Sequence, residues 1–323
     1  MVQPVLNFVR STPGRILTAL LGLGVVGALC AHVDFNKVHD VLLRSAWLFP
    51  WILLLEALIL GCTMMGLRSL YGEDKERIPK RVLIHAGLVG YAVMGLVPVG
   101  RAFAESTRAY ILAKYSNGPR AASAAVRLQG AALLAIALIS IPASFAMHHV
   151  LGWALPTLLI IGNFALTTVL GFGLLFAARK VNSVKGIFKK SESFQNFVTE
   201  FDRQTAQEKW IPVPAVLWES LGRVFQVIQN SILILAVGGH PGVLTSLCSE
   251  ALHLIGAAAG DLIPAQLGAT EASYVLSAHA LSLQPADAIS IAILAHLAQL
   301  FWVGVGSAAP LLNIPKWQLK TES

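Results

Sequence analysis

Six apolar runs, each long enough to cross a lipid bilayer, dominate this sequence and restrict what it can fold into. They cover residues 15–32, 47–67, 121–147, 155–178, 211–237 and 286–312. A transmembrane helix needs about 20 mainly apolar residues to cross a hydrocarbon core about 30 Å thick. Of the 323 residues, 55% are hydrophobic and only 13% are charged, which is typical of membrane proteins. The sequence therefore predicts an all-α, polytopic integral membrane protein: a single transmembrane domain, 1–323, with about six transmembrane helices.

Two shorter stretches share one pattern, an apolar run, a proline and then a glutamate. The first contains Pro98 and Glu105, and the second contains Pro264 and Glu271. A proline breaks a helix, and a glutamate inside hydrocarbon is costly enough to be a functional candidate. Paired interrupted helices at matching places in two halves of a chain are typical of a transporter's binding site. We therefore interpret the two prolines as structural breaks beside such a site.

Each motif lies within a pair of apolar segments, most of which are too short to span a bilayer. The pairs are 83–97 with 103–116, and 244–263 with 269–281. A helix that enters the bilayer and turns back needs only part of the full thickness. The sequence therefore predicts a first re-entrant helical hairpin at 82–117 and a second at 243–283.

The net charge of +7 comes mainly from basic residues in connecting loops. The larger clusters are Arg68, Lys75, Arg77, Lys80 and Arg81, and then Arg179, Lys180, Lys185, Lys189, Lys190, Arg203 and Lys209. Nucleic-acid binding would need a basic face on a soluble domain, so we expect no nucleic-acid partner. The positive-inside rule places both termini and the loop 179–209 in the cytoplasm. The two hairpins then enter from opposite faces, which is an inverted-repeat arrangement.

Arg101, Glu105 and Arg108 lie on one face of the first hairpin's returning helix, because they are spaced at i, i+4 and i+7. They could form a self-neutralising ion pair that holds the hairpin shut. They could equally present a surplus positive charge to an anionic headgroup, since the arginine fork matches phosphate. Two arginines against one glutamate favour the second interpretation. Arg127 is a further binding candidate, although its side chain could instead extend to the interface.

The fifth apolar run carries a polar stripe about three turns long, formed by Glu219, Arg223, Gln226 and Asn230. A stripe of that length on an apolar helix must face protein or water. It is either an interhelical polar seam or a cavity wall. We favour the wall because Arg223 lies deep in the run.

The second half of the chain supplies more polar candidates near the second break. Gln266 and Glu271 are predicted to bind substrate, and the secondary candidates here are Glu250, Asp261, His296 and Gln299. Glu56, in the middle of the second run, needs a buried partner that the sequence does not identify.

The sequence lacks several common motifs of hydrolytic enzymes and nucleotide-binding proteins. It has no Gly-x-Ser-x-Gly motif, nucleotide-binding glycine loop or metalloprotease helix. Its histidines and cysteines lack the spacing of a zinc site. We therefore predict neither an enzyme nor an ATP-driven pump, and no metal or cofactor.

At its two proline motifs the chain resembles the flippase-like membrane family named for the transmembrane region of lysylphosphatidylglycerol synthase, the multiple peptide resistance factor. The first motif resembles the family's proline loop leading to an acid and then an arginine, here Pro98, Glu105 and Arg108. The second is similar to its Pro-x-x-Leu-Gly-x-x-Glu segment, here 264–271. The resemblance covers roughly residues 10–312.

The resemblance implies movement of a lipid, or a lipid-linked molecule, between the leaflets of a bacterial inner membrane. Larger members carry a soluble aminoacyl-transferase domain after this region, and we expect none here because the sequence ends at Ser323. Stand-alone members occur in bacterial lipid pathways, including those linked to hopanoids. The expected partners are a membrane lipid as substrate and lipid-biosynthesis enzymes.

The sequence thus predicts a flippase that moves a lipid with a polar, anionic or lipid-linked headgroup through a charged cavity at the bilayer midplane. Two alternatives stay open. One is an ion- or proton-coupled transporter of a small solute, and the other is a non-transporting accessory subunit of a lipid-synthesis complex. The lipid, the direction of transport, the energy source and the oligomeric state are left open by the sequence.

Overall fold

The computed structural model of the chain describes residues 43–97, 100–180, 192–261, 266 and 268–311. The first apolar run and both break prolines, Pro98 and Pro264, lie outside the described residues. Within the described ranges the regular structure is entirely helical, as the apolar runs predict.

The described helices are α1 (Phe49–Ser69), α2 (Lys80–Leu96), α3 (Gly100–Leu112), α4 (Gly118–Leu151), α5 (Leu155–Arg179), α6 (Glu192–Gln207), α7 (Val213–Ala236), α8 (Val243–Gly260), α9 (Ala269–Leu276) and α10 (Pro285–Ala308). Short 3₁₀ turns at Gly72–Glu76, Ala278–Leu281 and Ala309–Leu311 connect or extend them. Prolines open α4, α5, α7 and α10, where a missing backbone donor costs no hydrogen bond.

Five of these helices are long and apolar enough to cross a membrane: α1, α4, α5, α8 and α10 with its 3₁₀ extension. Four of them match predicted spans. The predicted fifth span forms α7, which has 24 residues, but its polar stripe makes it less apolar and it is not among these five. Conversely α8, predicted as an arm of the second hairpin, has the length and composition of a span at 18 residues.

The segment around the first break forms two short helices, α2 and α3, that pack against each other. At 1.5 Å per residue they are about 25 and 20 Å long, less than the hydrocarbon core. Backbone leaves α2 in an extended conformation at Val97. The start of α3 lies so close to the end of α2 that a Cβ on Gly100 would lie 2.1 Å from the carbonyl oxygen of Met94. Only glycine allows this approach, so Gly100 lets the start of α3 lie against the end of α2.

The segment around the second break forms a similar pair, α8 and α9. Gly268, with φ of 84°, begins α9 in a conformation that favours glycine. The hydroxyl of Ser273 donates to the carbonyl oxygen of Leu252 at 2.8 Å, and the side chains of Tyr274 and Ser249 are hydrogen bonded at 2.9 Å. These bonds hold α9 against α8.

Both helix pairs lie between α4 and α10. The helix α4 packs against α3 and α8, whereas α10 packs against α2 and α9. The polar helix α7 packs along α1 and also contacts α4 and α8. Gly66 and Gly222 lie at the contact of α1 with α7, where small residues let helix backbones approach. This arrangement directs the polar faces of α3, α7 and α8 toward one another.

Candidate functional site

A cavity of about 190 Å³ lies where the two helix pairs meet α1, α7 and α10. Its walls are unusually rich in ionisable side chains for the interior of an apolar helix bundle. Those that line it are Glu56, Tyr91, Arg101, Glu105, Arg108, Glu219, Arg223, His253, Asp261 and His296. Ionisable residues inside a membrane protein are costly and mark substrate or ion pathways, so this cavity is the candidate site.

Glu105 and Arg108 form an ion pair within α3 and line the cavity together. Arg108 is only 4% exposed, and it passes so close to α2 that a Cβ on Gly90 would lie 2.6 Å from its Nε atom. Its charge is therefore matched by a neighbour one turn away. Of the two interpretations of this face, the self-neutralising ion pair applies to Glu105 and Arg108. Arg101 takes no part in that pair and contacts Asp261 instead.

Arg101 and Arg223 face the cavity with weaker ion-pair contacts. The Nε atom of Arg101 lies 3.8 Å from Asp261, and an Nη atom of Arg223 lies 3.8 Å from Glu250. Hydrogen bonds between such groups are usually about 2.7–2.9 Å long. Asn230 does not line the cavity but donates to the other oxygen of Glu250 at 3.0 Å. Both guanidinium groups line the same cavity.

The polar stripe of α7 is thus divided between two environments. Glu219, Arg223 and Gln226 line the cavity, while Asn230 lies behind it as a partner of Glu250. Three of the four side chains form a cavity wall and the fourth belongs to a polar seam.

Glu56 has two partners that the sequence did not identify. The hydroxyl of Tyr91 on α2 donates to one of its oxygens, and Gln229 on α7 donates to the other at 2.9 Å. Gln226 donates in turn to Gln229 at 2.6 Å. This network joins α1, α2 and α7 along one wall. Gln229 follows Gln226 by three residues and therefore continues the α7 stripe. This spacing could have identified Gln229 from the sequence.

The second break contributes Gln266, which lines the cavity, whereas Glu271 does not line it and instead contacts the lining residue His296. One oxygen of Glu271 accepts the backbone N–H of Gly268 at 2.8 Å, which caps α9. The other lies 3.3 Å from the Nε2 atom of His296 on α10. Gln299, one turn beyond His296, also lines the cavity. Glu271 therefore ties the second break to the last helix through its histidine partner.

Arg127 does not lie in the cavity, unlike the other arginines predicted to bind substrate. It forms an ion pair of 3.1 Å with Glu208 and donates to the carbonyl oxygen of Lys209 at 2.9 Å. Arg120 pairs with the same carboxylate at 2.8 Å. These partners follow Arg127 by more than 80 positions, between α6 and α7, and the sequence around Arg127 does not indicate them. Its contacts attach that connection to the first turns of α4.

Metal binding has little support in the described part of the chain. Among those residues, no group of three or more histidine, cysteine, aspartate or glutamate side chains is arranged to hold a metal ion. The side chains that the structure describes here can bind charged groups and redistribute hydrogen bonds, but they do not form a ligand set for a divalent metal.

Several apolar helices of spanning length around a charged internal cavity define a multi-pass membrane protein. The sequence profile of the lysylphosphatidylglycerol synthase TM region family matches residues 15–306, and the chain belongs to that family. This confirms the family predicted from the two proline motifs. No curated protein and no solved structure matches the chain.

Proposed function

We propose that this protein moves a lipid with a polar, anionic headgroup between the two leaflets of a bacterial inner membrane. The observation that carries the proposal is the cavity, which Arg101 and Arg223 both line while their nearest described carboxylates lie 3.8 Å away. The headgroup would occupy the cavity while the acyl chains stay in lipid. The proposed activity is transport without covalent chemistry.

A phosphate group suits these two arginines. A guanidinium group presents several N–H donors in a planar fork that matches phosphate oxygens. Because Arg101 lies on α3 and Arg223 on α7, an anion bound by both would bridge the first helix pair and the polar helix. Arg108 would contribute charge to the cavity, but its contact with Glu105 leaves it less free to bind.

The topology that we propose places the two helix pairs as re-entrant hairpins that enter the bilayer from opposite faces, with both termini in the cytoplasm. The placement of both pairs between α4 and α10 supports such an inverted repeat. Single cysteines at Asn117 and Gln284, which are both exposed, test this in a variant without the native cysteines. We expect labelling of position 117 from the cytoplasm and of position 284 from outside. Labelling of both positions from one side would refute the inverted arrangement.

Leaflet exchange in proteoliposomes tests the function itself. A fluorescent phosphatidylglycerol in the inner or outer leaflet serves as the probe, and Arg101→Gln and Arg223→Gln are the variants. Losing a hydrogen bond to a charged group costs about 1.5–3 kcal/mol, so each variant should exchange the probe about 10- to 100-fold more slowly. Arg203→Gln is the matched control, because that arginine is 64% exposed on α6 and pairs with Glu200 of the same helix. Equal rates for the cavity variants and the control would refute the proposal.

The small-solute transporter remains the second candidate, because four carboxylates also line the cavity and could couple transport to an ion. The accessory-subunit alternative gains from the fully bonded network around Glu56. Mass spectrometry of lipids that co-purify with the protein separates these candidates. An enriched anionic lipid supports the flippase, whereas its absence, together with no leaflet exchange, favours the alternatives. Association with lipid-biosynthesis enzymes is part of the proposal and would be tested by co-purification.

A further inference from the structure

Residues 208–210, which precede α7 and do not line the cavity, are fixed against the end of α5. The Arg179 side chain donates to the carbonyl oxygen of Glu208, and the ring centroids of Trp210 and Phe172 lie 5.8 Å apart. Phe172 and Arg179 are two turns apart on one face of α5. The two contacts therefore join the helix and the segment into one surface. We call it the basic–aromatic surface, and its members are Phe172, Phe176, Arg179, Lys180, Lys209 and Trp210.

The carboxylate of Glu208 is already shared by two arginines of α4. Its oxygens pair with Arg120 at 2.8 Å and with Arg127 at 3.1 Å. Both arginines are largely buried, at 9% and 4% exposed, so each needs a nearby negative charge. The neighbouring connection, residues 70–81, carries four basic and three acidic residues, so it brings no surplus of acid. Glu208 therefore cannot also balance the cations of the basic–aromatic surface.

The three cations of this surface, Arg179, Lys180 and Lys209, are all exposed. Arg179 contacts a carbonyl oxygen, and the Lys180 ammonium lies over the Phe176 ring, 5.6 Å from its centroid. The carbonyl oxygen of Lys209 accepts from Arg127 at 2.9 Å, which fixes the backbone while the ammonium stays exposed. The eleven residues that follow Lys180 in the sequence include three lysines and no acid. The surface thus presents positive charge at the end of a helix of spanning length, where anionic headgroups lie.

The aromatic side chains of the surface indicate a lipid rather than a soluble anion. Phe172, Phe176 and Trp210 are 36%, 55% and 45% exposed, and α5 is the least buried of the five helices of spanning length. Tryptophan is enriched where headgroups meet hydrocarbon, because its ring is apolar and its N–H is polar. A soluble phosphate would leave these rings unused, whereas a phospholipid contacts them with its chains.

We propose that the basic–aromatic surface binds one anionic phospholipid of the surrounding leaflet. Its phosphate lies among the three cations, where the arginine fork matches phosphate oxygens, and its acyl chains lie along the three aromatic rings. The site is separate from the cavity and stands independently of the proposed lipid movement. A lipid bound there joins the end of α5 to the segment that leads into α7.

Quenching of tryptophan fluorescence by brominated lipids tests this site in proteoliposomes. Phosphatidylcholine vesicles contain a small fraction of brominated phosphatidylglycerol or, for comparison, of brominated phosphatidylcholine. The signal of Trp210 is the difference between each protein and the same protein with Trp210→Phe. We expect Trp210 to be quenched preferentially by the phosphatidylglycerol. A lysine near an anionic headgroup strengthens binding about fivefold, so Lys180→Gln with Lys209→Gln should reduce this preference about 25-fold.

Lys75→Gln with Lys80→Gln is the matched control, because it removes two exposed lysines from the connection between α1 and α2. That connection lies on the same side of the protein, since a Cβ on Gly72 would lie 2.9 Å from Arg120. The control should keep the preference. An equal loss in both double variants would overturn the proposal, because any exposed positive charge would then suffice. Relief of the quenching by glycerol phosphate would also overturn it, because the site would then bind a soluble phosphate.

A second background separates this site from the cavity. In Arg101→Gln with Arg223→Gln, the preference at Trp210 should persist. Its loss there would assign the signal to lipid in the cavity and overturn the proposal. A preference at Trp210 in a protein that shows no leaflet exchange would support this site while refuting the flippase.

Discussion

Replacing Gly100 with alanine directly tests the packing that positions the candidate site. The new Cβ would lie 2.1 Å from the carbonyl oxygen of Met94 and within 2.8 Å of two further backbone atoms of that residue. No flexible side chain is available to move aside, so the start of α3 must withdraw from α2 by roughly 1 Å. Overpacking of this kind costs about 1–3 kcal/mol. Since α3 carries Arg101, Glu105 and Arg108, the cavity should be distorted as well.

The assay for Gly100→Ala combines thermal unfolding in detergent with leaflet exchange. A loss of 1 kcal/mol lowers the melting temperature by about 2–4 °C in proteins of 150–250 residues, so we expect a fall of several degrees. Displacement of binding groups by about 1 Å should slow leaflet exchange by about 10- to 100-fold. Gly162→Ala is the matched control, because a Cβ on Gly162 meets nothing within 4 Å. If Gly100→Ala had the same melting temperature and leaflet-exchange rate as Gly162→Ala, the close approach of α2 and α3 would be refuted.

Three further substitutions separate structural roles from ligand binding. Glu208→Gln should lower the free energy of unfolding by about 1–3 kcal/mol, a moderate loss because Glu208 is partly exposed. Thermal stabilisation by an anionic lipid should persist, because Glu208 pairs with Arg127 outside the cavity; loss of that stabilisation would indicate that Arg127 takes part in binding. Tyr91→Phe should cost about 1–3 kcal/mol by removing a donor to Glu56, measured by thermal unfolding; an unchanged melting temperature would exclude that bond. Gly256→Ala should also destabilise the protein, because its Cβ would lie 2.6 Å from the backbone of α9; increased stability would contradict the packing of α8 on α9.

Hydropathy and helical periodicity predict much of this fold, because a spanning helix must be long and apolar and its polar residues must share a face. The helices α1, α4, α5 and α10 follow directly from their apolar runs. The stripe on α7 was likewise predicted to be one face, and three of its members line the cavity. Length and composition cannot decide which helix crosses the bilayer when a polar helix such as α7 and a shorter apolar helix such as α8 lie side by side.

Contacts between side chains that are far apart in the chain could not be predicted from the sequence. Glu56 is bonded to groups 35 and 173 positions away, and nothing in its own helix indicates them. Arg127 was named as a binding candidate, whereas in the structure it pairs with Glu208 outside the cavity. In both cases the decisive contact is made by tertiary packing, which a single sequence does not encode locally.

The ion pairs at the cavity differ in a way that bears on mechanism. Glu105 and Arg108 belong to one helix, so no movement between helices separates them. The pairs Arg101–Asp261, Arg223–Glu250 and His296–Glu271 each join different helices, and in the described residues each takes its acid from the pair α8–α9 or its end. An anion that binds Arg101 and Arg223 competes with two of these three contacts. It would thereby release α8 and α9 from α3 and α7, while the His296 contact to α10 remains. If the protein moves a lipid as proposed, headgroup binding would thus be coupled to mobility of the second helix pair, which alternating access to the two leaflets would require.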